Sequence, residues 1–264
     1  YKTEQALAQE MDIDPEYASL VIPTMVICKN FLEIFQAESV WVPGVSLLDG
    51  IAYDYGEKKK FIKSGHNFEN DILVASKNIA KRYSTGKDHI KGTTDIALTI
   101  FDSMKKVHGM GARERLLLQI AVQLHDCGKY ISMADVAECS YRIIMATEII
   151  GLSTEERKVI ASAVRYNTTE FVYYGNYDDG PEIDRERYLL VAKLTAILRL
   201  ANAMDRSHHG RLDDGKLQVK GNKLIISTSY AGNLALETMA VEDKADFFEE
   251  MFGIRPEIRQ KRRV

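Results

Sequence analysis

The feature that most constrains this fold is a long stretch without proline. Of the five prolines, three lie at or before position 43 and the next is Pro181, so none occurs between Gly44 and Gly180. Proline disrupts a helix interior more strongly than any other residue, because it lacks the N–H and clashes with the preceding turn. The centre of the chain can therefore form a series of uninterrupted helices.

Apolar side chains recur at helical spacing in four segments. These segments are Ile96–Met104, Leu116–Leu124, a stretch that starts near Thr154, and Arg185–Asp205. Spacings of three and four residues place the apolar side chains of each segment on one helical face. Ser153 to Glu156 matches a capping box in front of the third segment. The pattern predicts a mainly α protein built around a helical bundle.

The N-terminal end has α/β character. A long apolar helix is predicted around Ile22 to Phe35, and a short strand is predicted from Glu38 to Pro43. We therefore expect residues 1–60 to form a short α/β segment, separate from a helical part at 61–208.

The C-terminal end, residues 209–264, predicts a small α/β unit. Lys216–Lys220 and Lys223–Ser227 alternate in polarity across a Gly-Asn pair, which is typical of a β-hairpin. A last helix is predicted from about Val241 to Phe252. The tail from Arg255 to Val264 is basic, and we expect it to be solvated and mobile.

Charge and cysteine usage narrow the classes of partner. The net charge is -3, so the chain as a whole has no electrostatic footprint for nucleic acid, and we expect no specific nucleic-acid partner. The three cysteines are widely spaced among apolar residues, which favours buried thiols in a reducing compartment and a cytoplasmic location. No apolar run is expected to approach the length that is needed to span a bilayer. Because the chain opens on Tyr1, we expect it to be the later part of a longer protein.

Four residues are candidate metal ligands. His125 and Asp126 close one apolar helix, where an imidazole nitrogen and a carboxylate oxygen can bind one divalent cation. The alternative is a histidine that interacts with a helix dipole. His89 begins a helix, and Asp205 ends one on its core side, where a carboxylate needs a cation or several donors. For Asp205 a surface salt bridge to a neighbouring arginine is the alternative.

Several motifs in order resemble a known family. Leu124–Ile131 (LHDCGKYI), Thr147–Ser153 (TEIIGLS) and Leu198–Ser207 (LRLANAMDRS) are similar to the C-terminal domain of the Ppx/GppA family. That family comprises exopolyphosphatases and guanosine pentaphosphate phosphohydrolases. The order of His89, His125-Asp126 and a later acid also resembles the HD superfamily of helical, metal-dependent phosphohydrolases. The resemblance implies an HD-type bundle at 61–208, preceded by the end of an actin-like second domain at 1–60.

The resemblance also implies where hydrolysis takes place. In this family the catalytic glutamate and the Gly-rich phosphate loops belong to actin-like domains on the N-terminal side. The present sequence contains no Gly-x-Gly-x-x-Gly and no Gly-Lys-Ser/Thr. We therefore expect no catalytic residue in this chain, which should be inactive alone. The resemblance implies that the full-length parent protein is a phosphoanhydride hydrolase that uses a divalent cation, Mg²⁺ or Mn²⁺.

Two asparagines depart from the HD pattern. Asn202 stands where HD proteins commonly have an aspartate ligand, unless Asp205 substitutes for it, and Asn167 stands where a histidine is usual. Fewer ligands imply a weaker metal site.

Five cations lie in or beside the matching motifs and are the predicted substrate-binding residues: Lys91, Lys129, Arg142, Arg165 and Arg206. Ammonium and guanidinium groups bind phosphate oxygens, although any one of them can be an ordinary surface cation. The sequence thus predicts a module that binds polyphosphate or guanosine pentaphosphate and supports a homodimer. The alternatives are an autonomous HD-type metal-dependent phosphohydrolase and a regulatory or oligomerisation module.

Overall fold

The computed structural model describes residues 3–63, 65–83, 86–174, 184–212 and 215–260. The chain forms two compact units, Tyr1–Gly65 and His66–Val264. Among the described residues the fold is mainly helical with one small sheet near the C-terminus, which confirms the predicted fold class.

The first unit contains three helices: α1 (Glu4–Met11), α2 (Pro15–Phe35) and α3 (Leu47–Lys58). Each begins at a side chain that caps it, and Ser46 forms a reciprocal capping box with Asp49. Helix α1 packs against α2. The strand expected at Glu38–Pro43 is wrong, because these residues pair with no other strand in the described chain.

The expectation that no segment is long enough to span a bilayer is also wrong. Helix α2 has 21 residues, continues through Pro23, and reaches a mean hydropathy of 1.5 over its most apolar window. Only 6% of that window is buried within the chain. Length and composition alone make it a candidate span, and an apolar helix that packs against another domain has the same composition.

The helices of the second unit include the four predicted from apolar spacing. They are α4 (Phe68–Arg82), α5 (Lys87–Ser103), α6 (Lys105–His108), α7 (Ala112–Leu124), α8 (Val136–Ala146), α9 (Thr154–Arg165), α10 (Arg185–Met204) and α11 (Ala235–Phe252). A 3₁₀ turn, Cys127–Tyr130, links α7 to α8.

Helix α7 lies at the centre of this unit. All its residues from Leu116 to Leu124 are buried except Gln119, which is half-buried. It packs against α4, α5, α9 and α10, so it is enclosed by other helices. A helix that is apolar on all sides is stable only when it is surrounded in this way. Its last turn therefore delivers the next residue, His125, into the protein interior.

The C-terminal sheet has three strands, β1 (Lys216–Lys220), β2 (Lys223–Thr228) and β3 (Arg255–Gln260). The predicted hairpin is confirmed: β1 and β2 are antiparallel, and Gly221 takes a left-handed φ of 59° at the turn. Strand β3 is parallel to β2 after the α11 crossover. The expected mobile tail is therefore wrong for Arg255–Gln260, and residues 261–264 lie outside the described residues.

Candidate metal centre

His89 lies in the first turn of α5 and is 8% exposed. Its Nδ1 is 2.7 Å from Oδ2 of Asp205, at the C-terminal end of α10. A carboxylate only accepts, so Nδ1 carries the proton and Nε2 presents a lone pair in the neutral ring. That Nε2 atom is buried and has no hydrogen-bond partner among the described residues.

His125 follows the last turn of α7 and is 2% exposed. Its Nδ1 donates to the carbonyl oxygen of Val122 at 2.7 Å, so its Nε2 also presents a lone pair. This Nε2 is buried, and the described chain gives it no hydrogen bond. Burial is the main reason why the pKa of His125 lies below its ordinary value, which keeps the ring neutral at physiological pH.

Asp126 supplies a carboxylate to the same position. Its Oδ1 is 3.5 Å from Nε2 of His125, a contact without hydrogen-bond alignment, and its Oδ2 is 2.5 Å from Nζ of Lys129. Burial acts to raise the pKa of Asp126. The neighbouring imidazole of His125 and the hydrogen bond and charge of Lys129 lower it by more, so the net pKa is below normal. One donor atom from each of His89, His125 and Asp126 lies within 4.8 Å of the others.

His108 gives the contrast within the same core. It is 2% exposed, yet its Nε2 bonds the carbonyl oxygen of Phe101 at 2.8 Å and its Nδ1 accepts from the N–H of Met110 at 2.9 Å. A buried histidine in this protein can therefore satisfy both ring nitrogens. The Nε2 atoms of His89 and His125 differ from His108 in this respect, and each unpaired buried polar atom costs about 1–3 kcal/mol.

Asp205 lies on the Nδ1 side of His89, away from the Nε2 atom. Besides His89, its carboxylate accepts from the backbone N–H of Gly210 at 3.0 Å. Burial acts to raise the pKa of Asp205, and these two hydrogen bonds lower it by more. Asp205 thus hydrogen-bonds the imidazole of His89 in the way that orients a metal-binding histidine, and its role as a direct ligand stays a prediction.

His208 is a site residue that the sequence analysis missed. Its ring stacks on that of His89, with 3.8 Å between centroids and 8° between planes. Its backbone is left-handed, with φ of 56°, in the turn that Asp205 holds. His208 is exposed overall, but its stacked ring loses part of its water, and this desolvation first, with the neighbouring imidazole of His89 second, lowers the pKa of His208. The His-His pair three residues after Asp205 was the available signal.

The His–Asp pocket opens beside these side chains. It has a volume of about 350 Å³ and is lined by Tyr83, Gly86, His89, Asp126, Lys129, Tyr130 and His208. A pocket of this size accepts a small ligand.

The structure brings only one of the five predicted cations, Lys129, to this pocket. Arg142 and Arg165 both pair with Glu138 on α8, at 2.9 and 3.2 Å. Arg206 is exposed, and Lys91 lines a different pocket. The predicted cluster of cations around a single cleft is therefore not present among the described residues.

Comparison with known proteins finds one family. Residues 74–243, which are more than half of the chain, match the family Ppx/GppA phosphatase, domain III. The matched range contains all four predicted metal ligands and His208. No curated protein matches the sequence.

Proposed function

Because the chain belongs to the Ppx/GppA phosphatase family, we propose that it binds a divalent cation at His89, His125 and Asp126 and through it one end of a phosphate chain. The protein is then the phosphate-binding module of an exopolyphosphatase-type phosphatase, and the principal hydrolysis takes place in another part of the parent protein. The observation that carries this proposal has two parts. His89 and His125 each have a buried Nε2 atom without a hydrogen-bond partner among the described residues, and a donor atom of each ring lies within 4.8 Å of the carboxylate of Asp126.

The donor set fits a divalent cation. Two imidazole nitrogens and one carboxylate oxygen suit Mn²⁺, Fe²⁺ or Zn²⁺ better than Mg²⁺, which prefers oxygen ligands. Of the two cations predicted from the sequence, the geometry therefore favours Mn²⁺. When bound, such a cation would polarise a phosphoryl oxygen and acidify a water molecule.

The protein's own side chains have separate tasks in this proposal. Asp205 fixes the ring of His89 and the turn that carries His208. Lys129 lines the pocket next to Asp126, where its ammonium group can bind phosphate oxygens that approach the site. His208 covers one face of His89 and forms part of the wall that a phosphate would contact.

Titration calorimetry with MnCl₂ tests the cation site. The variant Asp126→Asn keeps the shape of the side chain and removes its charge, so we expect the affinity to fall about a hundredfold with little change in fold. Asp88→Asn, an exposed acid one residue before His89, is the matched control and should bind as the wild type does. An Asp126→Asn variant that binds Mn²⁺ as tightly as the wild type would refute the site.

Titration with polyphosphate of long and short chain length, with Mn²⁺ present, then tests the substrate class. We expect tighter binding of the long chain and loss of that binding in Asp126→Asn. Equal or absent binding of both lengths contradicts the proposal. Guanosine pentaphosphate is compared in the same assay, and the predicted homodimer is tested by measuring the mass in solution.

A second function is favoured by the open pocket beside the three ligands. In that case the chain is an autonomous metal-dependent phosphohydrolase. Release of phosphate from polyphosphate or from a phosphodiester by the isolated chain with Mn²⁺, abolished in Asp126→Asn, supports this function. Binding of Mn²⁺ without any release supports the first proposal.

A further inference from the structure

A buried carboxylate lies in the first turn of α11 and lines no part of the His–Asp pocket. Glu237 is 0% exposed, and neither of its carboxylate oxygens has a hydrogen-bond partner among the described residues. A buried carboxylate needs a cation or hydrogen-bond donors to offset its lost hydration. The one cation within ion-pair distance of it in the described chain is Arg211, whose Nη1 atom is 3.6 Å from Oε2. Glu237 therefore depends on the position of Arg211.

Arg211 is fixed by further contacts to the segment before α11. The same Nη1 atom donates to the carbonyl oxygen of Asn233 at 2.9 Å. The guanidinium carbon is 5.9 Å from the centre of the ring of Tyr230, within the range of a cation–π contact. The next residue, Leu212, is 1% exposed and belongs to the hydrophobic core. The chain is therefore held at Arg211 and Leu212.

The turn from Asp205 to Arg211 needs such an anchor, because its backbone is strained. His208 and Gly210 both have left-handed φ angles, 56° and 60°. This conformation costs glycine little, but a histidine stays in it only when its surroundings hold it there. Asp205 holds the turn from one end: its backbone carbonyl accepts from the N–H of His208 at 2.9 Å, and its Oδ1 accepts from the N–H of Gly210 at 3.0 Å. Arg211 holds the other end.

The same turn fixes the ring of His89. Oδ2 of Asp205 is the partner of Nδ1 of His89, and the ring of His208 covers one face of that imidazole. If the turn moves, Asp205 loses the hydrogen bond from Gly210, and His208 leaves its stacked position. Fewer contacts then orient the ring of His89, so its Nε2 atom is no longer held toward the proposed cation site.

We propose that Arg211 and Glu237 are positioning residues of the cation site. This inference rests on the proposed function, because it concerns the same site. Neither residue touches the cation. Together they hold the turn that keeps Asp205 and His208 against His89, so the affinity for the cation depends on a contact with α11. The last helix is in this way part of the support of the site.

Two measurements on the full chain test this inference, one with Mn²⁺ and one without metal. The variant Arg211→Gln removes the charge that faces Glu237. We expect titration calorimetry with MnCl₂ to give an affinity about fivefold to tenfold lower than that of the wild type. Without metal, we expect NMR to show that the amide of Gly210 exchanges its hydrogen about tenfold faster, because its hydrogen bond to Asp205 opens more often.

Three further variants sharpen the test, and circular dichroism checks that each is folded. Glu237→Gln keeps the shape of the side chain and should act in the same direction as Arg211→Gln. Arg211→Lys keeps the positive charge and should restore most of the affinity and of the amide protection. Arg113→Gln is the matched control, because it breaks another arginine–glutamate pair that does not line the pocket. It should leave the Mn²⁺ affinity and the exchange of Gly210 as in the wild type.

The outcomes separate this inference from the proposed function. If the wild type binds no Mn²⁺, the proposed function fails, and this inference fails with it. If the wild type binds Mn²⁺ and Arg211→Gln weakens that binding no more than Arg113→Gln does, this inference alone is overturned. Unchanged exchange of Gly210 in Arg211→Gln also overturns it, because the turn would then be held without Arg211.

Discussion

Replacing Gly128 by alanine tests how tightly the turn after Asp126 is packed. Gly128 lies in the 3₁₀ turn, against the first residues of α8. A Cβ atom there would be 2.2 Å from the carbonyl oxygen of Val136 and 2.6 Å from the backbone nitrogen of Ser140. These are backbone atoms, so no side-chain rotation relieves the clash, and the turn must move by about 1 Å to restore ordinary contact.

The cost follows from what that movement breaks. The N–H of Gly128 donates to Oγ of Ser140 at 2.8 Å, and loss of such a buried bond costs about 1 kcal/mol. Overpacking of a dense interior costs about 1–3 kcal/mol more. We expect the free energy of unfolding to fall by about 3 kcal/mol in total. For a unit of this size the melting temperature then falls by roughly 6–12 °C.

Thermal unfolding followed by circular dichroism measures this difference. Gly86→Ala is the control, because a Cβ there meets no atom within 4 Å and the residue only caps α5; it should cost about 0.5 kcal/mol. Ser140→Ala removes the hydrogen bond alone and should cost about 1 kcal/mol. If Gly128→Ala melts within about 2 °C of the wild type, the packing argument for this turn is refuted.

Three further outcomes are expected. Asp205→Asn should lower Mn²⁺ affinity about 10–100-fold in calorimetry, because the ring of His89 loses its orienting carboxylate; unchanged affinity would remove Asp205 from the site. Glu156→Gln should cost about 1 kcal/mol at pH 7, because the hydrogen bond from Arg113 lowers the pKa of Glu156 below its ordinary 4.5. That stabilisation is complete above pH 4.5 and is lost as the pH falls through the folded pKa, so urea titrations at pH 7 and pH 3 should show the difference shrinking. Phe101→Ala, at a position 1% exposed, should cost about 3–5 kcal/mol in the same titrations.

The convergence of His89, His125 and Asp126 could be predicted because each lies at the end of a helix with a clear apolar stripe. The stripes fix which face of α5 and α7 points inward, and therefore where each helix end lies. The partners of the ring nitrogens could not be predicted in this way. Whether Asp205 meets Nδ1 or the opposite side of His89 depends on ångström-scale packing between α5 and α10.

The five predicted phosphate contacts do not line one pocket, and the reason is geometric. Lys91 is two residues after His89, and two helical residues turn the side-chain direction by about 200°, so both cannot face the same pocket. Arg142 pairs with Glu138 one turn earlier on α8, and Arg165 on α9 reaches the same carboxylate because α8 packs on α9. Proximity to a motif in sequence is thus a poor guide to proximity in space on a helix.

The C-terminal strand illustrates a limit of local patterns. Arg255–Gln260 is rich in charge, and by itself it is typical of a solvated tail. This segment forms a strand because it pairs with β2 in parallel and packs against α11. Neither contact can be predicted from the local sequence pattern. His208 was missed for a similar reason, since a left-handed turn determines where its ring points.

The bond between His89 and Asp205 joins residues 116 positions apart in the chain. In the unfolded polypeptide these side chains are far apart, so a cation meets scattered imidazoles and carboxylates and binds them weakly. Any cation that prefers the assembled arrangement therefore adds to the stability of the folded unit, by an amount that grows with the logarithm of its concentration. If the protein binds such a cation, the free cation concentration would then affect its resistance to heat and proteolysis as well as its ligand binding.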